Sequence, residues 1–435
     1  MERAICAFAG VVCVSAAAWA SEPNALDGDE RAAGFELLFD GKSLDGWDGD
    51  PKLWSAEDGA IVGRTTPENP TRGNTFIFFR KGLLADFELR LEWKIEGGNS
   101  GVQFRSADYG SWVAGGYQAD IDASGRFTGI LYEERGRGIL AERGEKVVRA
   151  ADGSKAVAGR TAGDDELARC ARAEGWNRYE IVARGNHIVQ KLNGVTTVDF
   201  TDEEAGKRAS SGVLALQLHA GPPMTVRFRS IRLRRLPLEG FEDLFDGRTL
   251  TGWKRHEGLP GHGVAGKWYV EDGAIVGVQD PPGEGGFLTT YRSFRDFEVE
   301  FETKIDWPFD SGAFLRTGPT GRSHQVTLDW RPGGEIGAIY IPWGPGFVCH
   351  APEGAKRFKK DEWNKIRISC AGEPARIRVW VNGAEVTDFQ HTEKTTEGVP
   401  PEGTFSLQVH PGGEGYEKSK ACFRAIRIRE IAREK

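Results

Sequence analysis

The sequence has no run of basic residues, no Cys-x-x-Cys pair and no His-x-His or HExxH spacing. The first absence argues against a nucleic-acid partner, as does a formal net charge of −7. The second removes the common zinc and dithiol patterns. The third removes the compact metal-site motifs. Past Ala20 no apolar run is long enough to cross a bilayer. No stretch of any length repeats with helical periodicity either. Methionine is scarce, at 2, whereas glycine (58) and tryptophan (13) are abundant. Glycine, aromatics and many short alternating runs predict an all-β chain rich in turns. A length of 435 residues allows two or three domains, each with its own core.

The N-terminus reads MERAICAFAGVVCVSAAAWASEP. Arg3 supplies the charge, Ala4 to Trp19 are apolar, and Ala18-Trp19-Ala20 fits a cleavage site. Residues 1–20 are therefore expected to be a signal peptide, and the protein to be exported to the periplasm, cell surface or medium. The alternative is an uncleaved anchor. Cys6 and Cys13 would leave with the signal. Of the remaining cysteines, Cys170, Cys349, Cys370 and Cys422, the last two either pair or lie buried as free thiols. Ser21 to Ala33 is polar and expected to be a disordered leader.

The rest of the chain is written twice. GFELLFDGKSLDGW starts at Gly34, and GFEDLFDGRTLTGW at Gly240, 206 residues on. WSAEDGAIVG recurs as WYVEDGAIVG, NSGVQFR as DSGAFLR, YQADID as HQVTLD, GWNRYEI as EWNKIRI, and LALQLHAG as FSLQVHPG. So many ordered matches indicate a tandem duplication, residues 34–237 and 240–435. Tyr132 to Trp176 is 44 residues, and the matching Tyr340 to Trp363 is 23. The first copy thus carries an insertion within residues 136–173, expected as a loop or short helix. Each copy reads as period-two strands between Gly, Asn and Asp turns, which predicts a two-sheet sandwich. LNG and VNG predict tight hairpins.

As an ordered set, LFDGKSLDGW, DGAIVG, NSGV-x-FR, YQADID, WN…LNG and LQLH…FR-x-IR resemble the bacterial 3-keto-disaccharide hydrolase domain family. The resemblance covers both copies. It implies tandem concanavalin-A-like (laminin-G-like) jelly-roll β-sandwiches and an exported protein acting on carbohydrate, a small molecule or oligosaccharide. It implies enzymatic activity less directly.

Alternation assigns faces. Gln118, Asp120 and Asp122 share one side of YQADID. Gln217 and His219 point away from the core in LALQLHAG. Asn99, Gln103 and Arg105 share the outer side of NSGVQFR, and Tyr132 and Glu134 lie opposite Leu131. For Gln103, Glu88, Arg90 and Glu92 plain solvent exposure suffices. Arg105, Gln118, Tyr132, Gln217 and His219 recur as Arg316, Gln325, Tyr340, Gln408 and His410. Either a ligand face or a shared hydrogen-bond network accounts for that. The copies differ in acids: Asp120 becomes Thr327, and Glu133-Glu134 become Ile341-Pro342. Chemistry is therefore expected in the first copy, next to Arg105, Arg135 and Arg137.

If the substrate is a 3-keto-glycoside, as the resemblance implies, three roles are needed. Asp120 or Glu134 is the candidate base. Arg105, His219 or a divalent metal would stabilise an enolate. His219, Tyr132 or Glu133 would protonate the leaving group. Gln118, Asp122, Asn99, Gln217, Trp112 and Arg135 are candidate binding residues, with Arg316, Gln325, Tyr340, Trp343 and His410 in the second copy. The sequence assigns no cofactor with certainty and leaves a divalent metal possible, which Asp120, Glu134 and His219 together would suit. DGWDGD reads as an Asp-Gly turn more readily than as a calcium loop. Two readings stand against catalysis by elimination: a non-catalytic carbohydrate-binding module, and ordinary glycoside hydrolysis by Asp120 and Glu134.

Overall fold

A computed structural model describes residues 22–238, 240–257, 264–413 and 415–431. The expected signal peptide lies outside the described residues. Nearly everything described is strand and turn, and no described helix is long and apolar enough to cross a membrane. Each repeat folds into two sheets packed face to face, antiparallel except where Glu145–Arg149 pairs parallel with Val195–Asp202, the expected all-β jelly-roll sandwich.

In the first repeat the strands that matter are β1 (Thr75–Leu84), β2 (Phe87–Glu96), β3 (Asn99–Asp108), β4 (Ala114–Asp122), β5 (Leu131–Glu134) and β6 (Gly212–Leu218). One sheet runs in the order Gly138–Ala141, β5, β4, β3, β6, β1, Trp47–Asp48. The other is centred on β2, flanked by Asn177–Arg184 and Met224–Arg235. In the second repeat β7 (Phe309–Thr317), β8 (His324–Trp330), β9 (Ile336–Ile341) and β10 (Gly403–Val409) correspond to β3, β4, β5 and β6. Their sheet has the same order.

Alternation is why each core forms. Leu89, Leu91 and Trp93 of β2 face Val102 and Phe104 of β3 across one continuous buried cluster. The Phe87 and Phe104 rings meet edge-on at 5.7 Å. The repeated tryptophans are framework, as their recurrence suggested. Trp47 and Trp253 are buried, and each donates its indole N–H to a carbonyl at 2.7 Å, that of Leu38 or Leu244. The repeated LFDG turn exists because Asp40 accepts two backbone N–H groups at 2.8 Å, as Asp246 does in its copy. In LNG and VNG, Asn193, Gly194, Asn382 and Gly383 all have positive φ, as a tight hairpin turn requires.

Three expectations change here, and the choice left open for the cysteines is decided. The leader is ordered: Gly28–Ala32 is a helical turn with an Asp27–Glu30 capping box. Glu30 is buried against Arg232 at 3.2 Å. Glu88, Arg90 and Glu92 are buried, because Glu30, Arg234, Arg229 and Arg178 cover that face with an ion-pair ladder. The insertion forms strands Glu145–Arg149 and Lys155–Arg160, which extend the β2 sheet past Val195–Asp202, and the helix Asp164–Arg169. Cys370 and Cys422 are buried free thiols; they pair with Phe297 and Lys304, at opposite ends of one intervening strand.

Arg105 changes most. Its φ is 46°, at a bulge where the β3–β4 register shifts. The bulge turns the side chain inward, against the period-two expectation. Its guanidinium donates to the carbonyls of Ala85 (2.6 Å) and Gly185 (2.7 Å) and to Asp86 Oδ1 (2.8 Å). Arg316 does the same with Arg295, Gly372 and Asp296. Both are sandwich clamps rather than enolate or substrate ligands. Breaking a buried ion pair strands one charge, so Arg105→Ala should lower the unfolding free energy by roughly 3–5 kcal/mol. Arg135→Ala, at the surface, should stay within about 0.5 kcal/mol of wild type. Urea denaturation of both variants checks this; equal losses would remove the clamp.

Candidate functional site

The outer face of the β5–β4–β3–β6–β1 sheet has two halves. Toward β1 it is apolar, with Phe76, Phe78, Val213 and Ala215 buried under Trp112 and Leu83. Trp112 also donates its indole N–H to Asp48 at 3.0 Å. Toward β4 and β5 the face is polar, and there the structure gathers most of the expected residues.

Glycine makes this half possible. A Cβ on Gly101 would lie 2.5 Å from the Gln118 side chain, so only glycine lets that side chain cross the strand. Gln103 donates to Gln118 at 2.7 Å, and Ser106 donates to Gln103 at 2.6 Å. Gln118 in turn donates to Asp120 Oδ2 at 3.1 Å, and Asn99 donates to Oδ1 at 2.7 Å. Gln103 is therefore a buried network member rather than a solvated side chain.

Asp120 is the buried acid of this network. Burial pushes its carboxyl up to about 7, and Asn99 and Gln118 only partly offset that. Glu134 accepts from Asn74 at 3.3 Å and from Gln217 at 3.4 Å. Tyr132 stands directly opposite Gln118. Burial, then the charges of Glu134 and Asp120, raise its phenol. Gln217 Oε1 is buried and accepts no hydrogen bond from the described residues, which costs about 1–3 kcal/mol unless a ligand donates to it. His219 Nδ1 lies 2.5 Å from the Ala220 carbonyl. A carbonyl only accepts, so Nδ1 carries the proton, and Nε2 is the atom that can serve a substrate.

Other candidates leave the face. Glu133 points inward because it alternates with Tyr132 and Glu134. It pairs with Arg137 at 2.6 Å in a cluster with Asp202 and Glu204. Glu133 and Asp202, against the cost of burial, keep Arg137 firmly charged. Asp122 organises the turn after β4, accepting from Ser124 and from the Phe127 N–H at 3.2 Å. Arg135 is exposed over the Tyr109 ring at 4.9 Å. It lines a cavity of about 820 Å³ between the repeats, with Arg208, Asp243 and Arg248. Among the described residues no three His, Cys, Asp or Glu side chains group closely enough to hold a metal ion, so Asp120, Glu134 and His219 do not form the metal set their residue types suggested.

Two residues were missed. Asn74 holds Glu134 and accepts from the Ala220 N–H at 3.1 Å. Its even-numbered parity with Phe76 and Phe78 was the available signal. In the second repeat Asp310 replaces Asn99 while Thr327 replaces Asp120, so the acid moves to the neighbouring strand. That copy is not depleted of acid, contrary to expectation. Burial and the charge of Asp329 raise Asp310 to about 7 against the opposing effect of Arg331.

Comparison with known proteins agrees with the duplication. The family described as the 3-keto-alpha-glucoside-1,2-lyase-like domain matches residues 34–234 and again residues 240–429. A Bacteroides thetaiotaomicron protein named 3-keto-disaccharide hydrolase is 33% identical over 115 residues, 25% of this chain. The match spans 37% of that relative's length. Among solved structures, a candidate glycosyl hydrolase from Parabacteroides distasonis aligns at 25% identity, covering 44% of this chain and 100% of its own, with a TM-score of 0.33. The carbohydrate-binding module CBM66 of Bacillus subtilis aligns at 14% identity, covering 41% and 96%, with a TM-score of 0.30.

The Asp120 environment has a thermodynamic signature. Its carboxyl titrates near 3.8 when unfolded and near 7 when folded. The folded state holds the extra proton in that window, so unfolding free energy falls as pH rises through it. Asp120→Asn removes this slope. The variant should gain stability relative to wild type between about pH 4 and pH 8. Urea midpoints across that range test it; parallel profiles would mean Asp120 titrates normally.

Proposed function

The chain belongs to the 3-keto-alpha-glucoside-1,2-lyase-like domain family, in two copies, and we propose that its first repeat cleaves 3-keto-glycosides or 3-keto-disaccharides by elimination and hydration. The observation that carries this reading is Asp120: a buried carboxyl near neutrality, on an open polar face, beside Tyr132 and Glu134. A base whose pKa lies near the working pH is best matched to proton abstraction.

A ketone at C3 acidifies the C2 proton. Asp120 takes that proton, and the electron pair passes to the C3 oxygen as an enolate. The Gln217 amide donates toward this oxygen, and His219 Nε2, which carries no proton in this tautomer, accepts from a neighbouring substrate hydroxyl. Collapse of the enolate expels the substituent at C1, and Tyr132 protonates the departing oxygen. Water then adds at C1 of the enone and gives its proton to the Tyr132 phenolate, while Asp120 returns the proton to C2. The net reaction is hydrolysis. Glu134, fixed by Asn74 and Gln217, orients the hydroxyls on that side. Arg105 and Glu133 have no part in it, since both point into the sandwich.

A carbohydrate-binding module without chemistry is the second reading. It is favoured by the glutamines common to both repeats, Gln118 and Gln217 with Gln325 and Gln408, which form a hydrogen-bonding platform whichever strand carries the acid. Export, read from residues 1–20, belongs to the same proposal; N-terminal sequencing of the secreted or periplasmic protein checks it.

Purified full-length protein should turn over 3-keto-trehalose or a 3-keto-glucoside and leave the unoxidised sugars intact. Asp120→Asn should lower kcat/KM by roughly 100- to 10,000-fold, and Glu134→Gln should reduce it less. Sugar binding without turnover would favour the module. Turnover that survives both substitutions would place the chemistry elsewhere.

A further inference from the structure

The turn between β3 and β4 folds back over the outer face of the first repeat. Gly110, Ser111 and Trp112 have φ of 81°, 50° and 57°, a left-handed run that the last two side chains rarely adopt. Such a turn keeps its shape only where its surroundings fix it. Asp108 fixes the base, since its Oδ1 accepts the Gly110 N–H at 2.7 Å. Contacts of Trp112 fix the tip. Its carbonyl accepts the Phe76 N–H at 2.9 Å, and its indole N–H reaches Asp48 Oδ1 at 3.0 Å. Phe76 is paired with Gln217, so the tip stands where the apolar half of the face meets the polar half.

The second repeat reaches this turn through Arg80 of β1. Arg80 Nη1 donates to Asp108 Oδ2 at 2.6 Å and to Thr251 Oγ1 at 3.1 Å. Its Nε and Nη2 donate to Asp48 Oδ2 at 3.0 and 2.8 Å, on the carboxylate that also takes the Trp112 indole. The Gly252 N–H donates to the Arg80 carbonyl at 2.8 Å. A Cβ on Gly252 would stand 3.5 Å from the Gly82 Cα, so the two backbones lie close together here. Asp108 and Thr251 are both buried, which keeps the two partners of Nη1 out of water. Arg248 adds a second contact, its guanidinium carbon 5.3 Å from the centroid of the Tyr109 ring. The matching positions of the two copies differ. Tyr291 takes the place of Arg80, its N–H donating to the Gly252 carbonyl as that of Arg80 donates to Gly46. Thr251 stands where the first copy has Asp45.

We propose that the second repeat braces the first repeat's site: Thr251, through Arg80, and Arg248, through Tyr109, are positioning residues that set where the Trp112 turn lies beside the polar face. The proposal rests on the reading that a 3-keto-glycoside is bound on that face. Without the second repeat Arg80 would keep Asp48 and Asp108 but turn its Nη1 toward water, and an ion pair opened to water is weaker. The base of the turn would loosen with it. The brace acts on how firmly substrate is held and leaves the proton transfers alone, because the hydrogen bonds of the Asp120 carboxylate run to Asn99 and Gln118 and not to this joint. It gives the duplication a use that needs no second reaction centre.

Thr251→Val and Arg248→Ala in the full chain test this, with Arg376→Ala, which opens an exposed ion pair to Asp388 elsewhere in the second repeat, as the control. Hydrogen exchange read by mass spectrometry should find the amides of residues 109–113 exchanging about fivefold or more faster in Thr251→Val. The increase should be smaller in Arg248→Ala and absent in the control. KM for a 3-keto-glucoside should rise about three- to tenfold in Thr251→Val, with kcat within about twofold. In a Trp112→Ala background the same substitution should leave KM within about twofold, because the residue it positions is gone. Unchanged exchange in the turn would overturn the brace. Faster exchange with unchanged KM, or a rise in KM that persists without Trp112, would overturn its bearing on substrate. A wild-type chain that turns over no 3-keto-glucoside would overturn the proposed reaction instead, and the exchange rates alone would then decide for or against the brace.

Discussion

The clamp formed by Arg105 and Asp86 is the constraint on which the rest of the sandwich depends. A charged side chain can stand inside a two-sheet core only if its polar atoms find partners, and each guanidinium nitrogen of Arg105 finds one, in two carbonyls and one carboxylate. These acceptors come from the β1–β2 turn and from the turn after Asn177–Arg184, so one residue on β3 ties its own sheet to the opposite one. The geometry requires a left-handed residue at 105 and a bare backbone opposite. A Cβ on Gly212 would sit 2.4 Å from the Arg105 carbonyl carbon, and one on Gly403 would sit 2.4 Å from that of Arg316. Arginine, aspartate and glycine therefore recur as a set because each is required by the other two.

The clamp also decides what the polar face can be. The bulge ends the regular alternation of β3 after Phe104, so Asn99, Gly101 and Gln103 stay on the outer face while Arg105 leaves it. Amides and the carboxylates of Asp120 and Glu134 fill that face, and each buried polar atom needs a partner. The chain Ser106–Gln103–Gln118–Asp120–Asn99 supplies them in sequence. A network satisfied in this way is stiff, and its stiffness holds Asp120 out of water without collapse onto a counter-ion. The raised carboxyl is thus a consequence of packing: remove Gly101 and the glutamine cannot lie down; remove the glutamine and the acid is either solvated or orphaned.

Much of this was legible in the sequence. Period-two alternation in YQADID and LALQLH placed Gln118, Asp120, Gln217 and the core leucines correctly, because nothing interrupts those strands. Internal duplication identified the turn aspartates, the framework tryptophans and the Asn-Gly hairpins. Failures came where a local irregularity or a distant partner overrides alternation. No propensity marks Arg105 as left-handed, since the bulge is imposed by Asp86 and Gly212 from elsewhere in the chain. Glu88, Arg90 and Glu92 read as solvated because their partners Glu30, Arg229, Arg232 and Arg234 lie far away in sequence. The leader looked disordered for the same reason: its order comes from the Asn24 and Glu30 contacts with Ser230 and Arg232, not from its own composition. The inserted segment looked like a loop because the partner of Glu145–Arg149 is the distant strand Val195–Asp202.

The two repeats serve as an internal control on which residues are mechanical and which are chemical. Identity between copies is strongest where geometry leaves no choice: the clamp, the glycine beneath each glutamine, the asparagines that bridge the WN and NG turns, the indoles that reach a carbonyl. Matched residues therefore need not be functional, and Arg105 and Arg316 are the clearest case. Differences fall on positions that the scaffold tolerates, such as Asn99 against Asp310, Asp120 against Thr327 and Ile139 against Phe347. An acid can move one strand sideways because the amide pair above Gly101 or Gly312 will hydrogen-bond around either arrangement. The scaffold fixes where a polar face must be. Which side of that face carries the proton is left to one substitution on each of two adjacent strands.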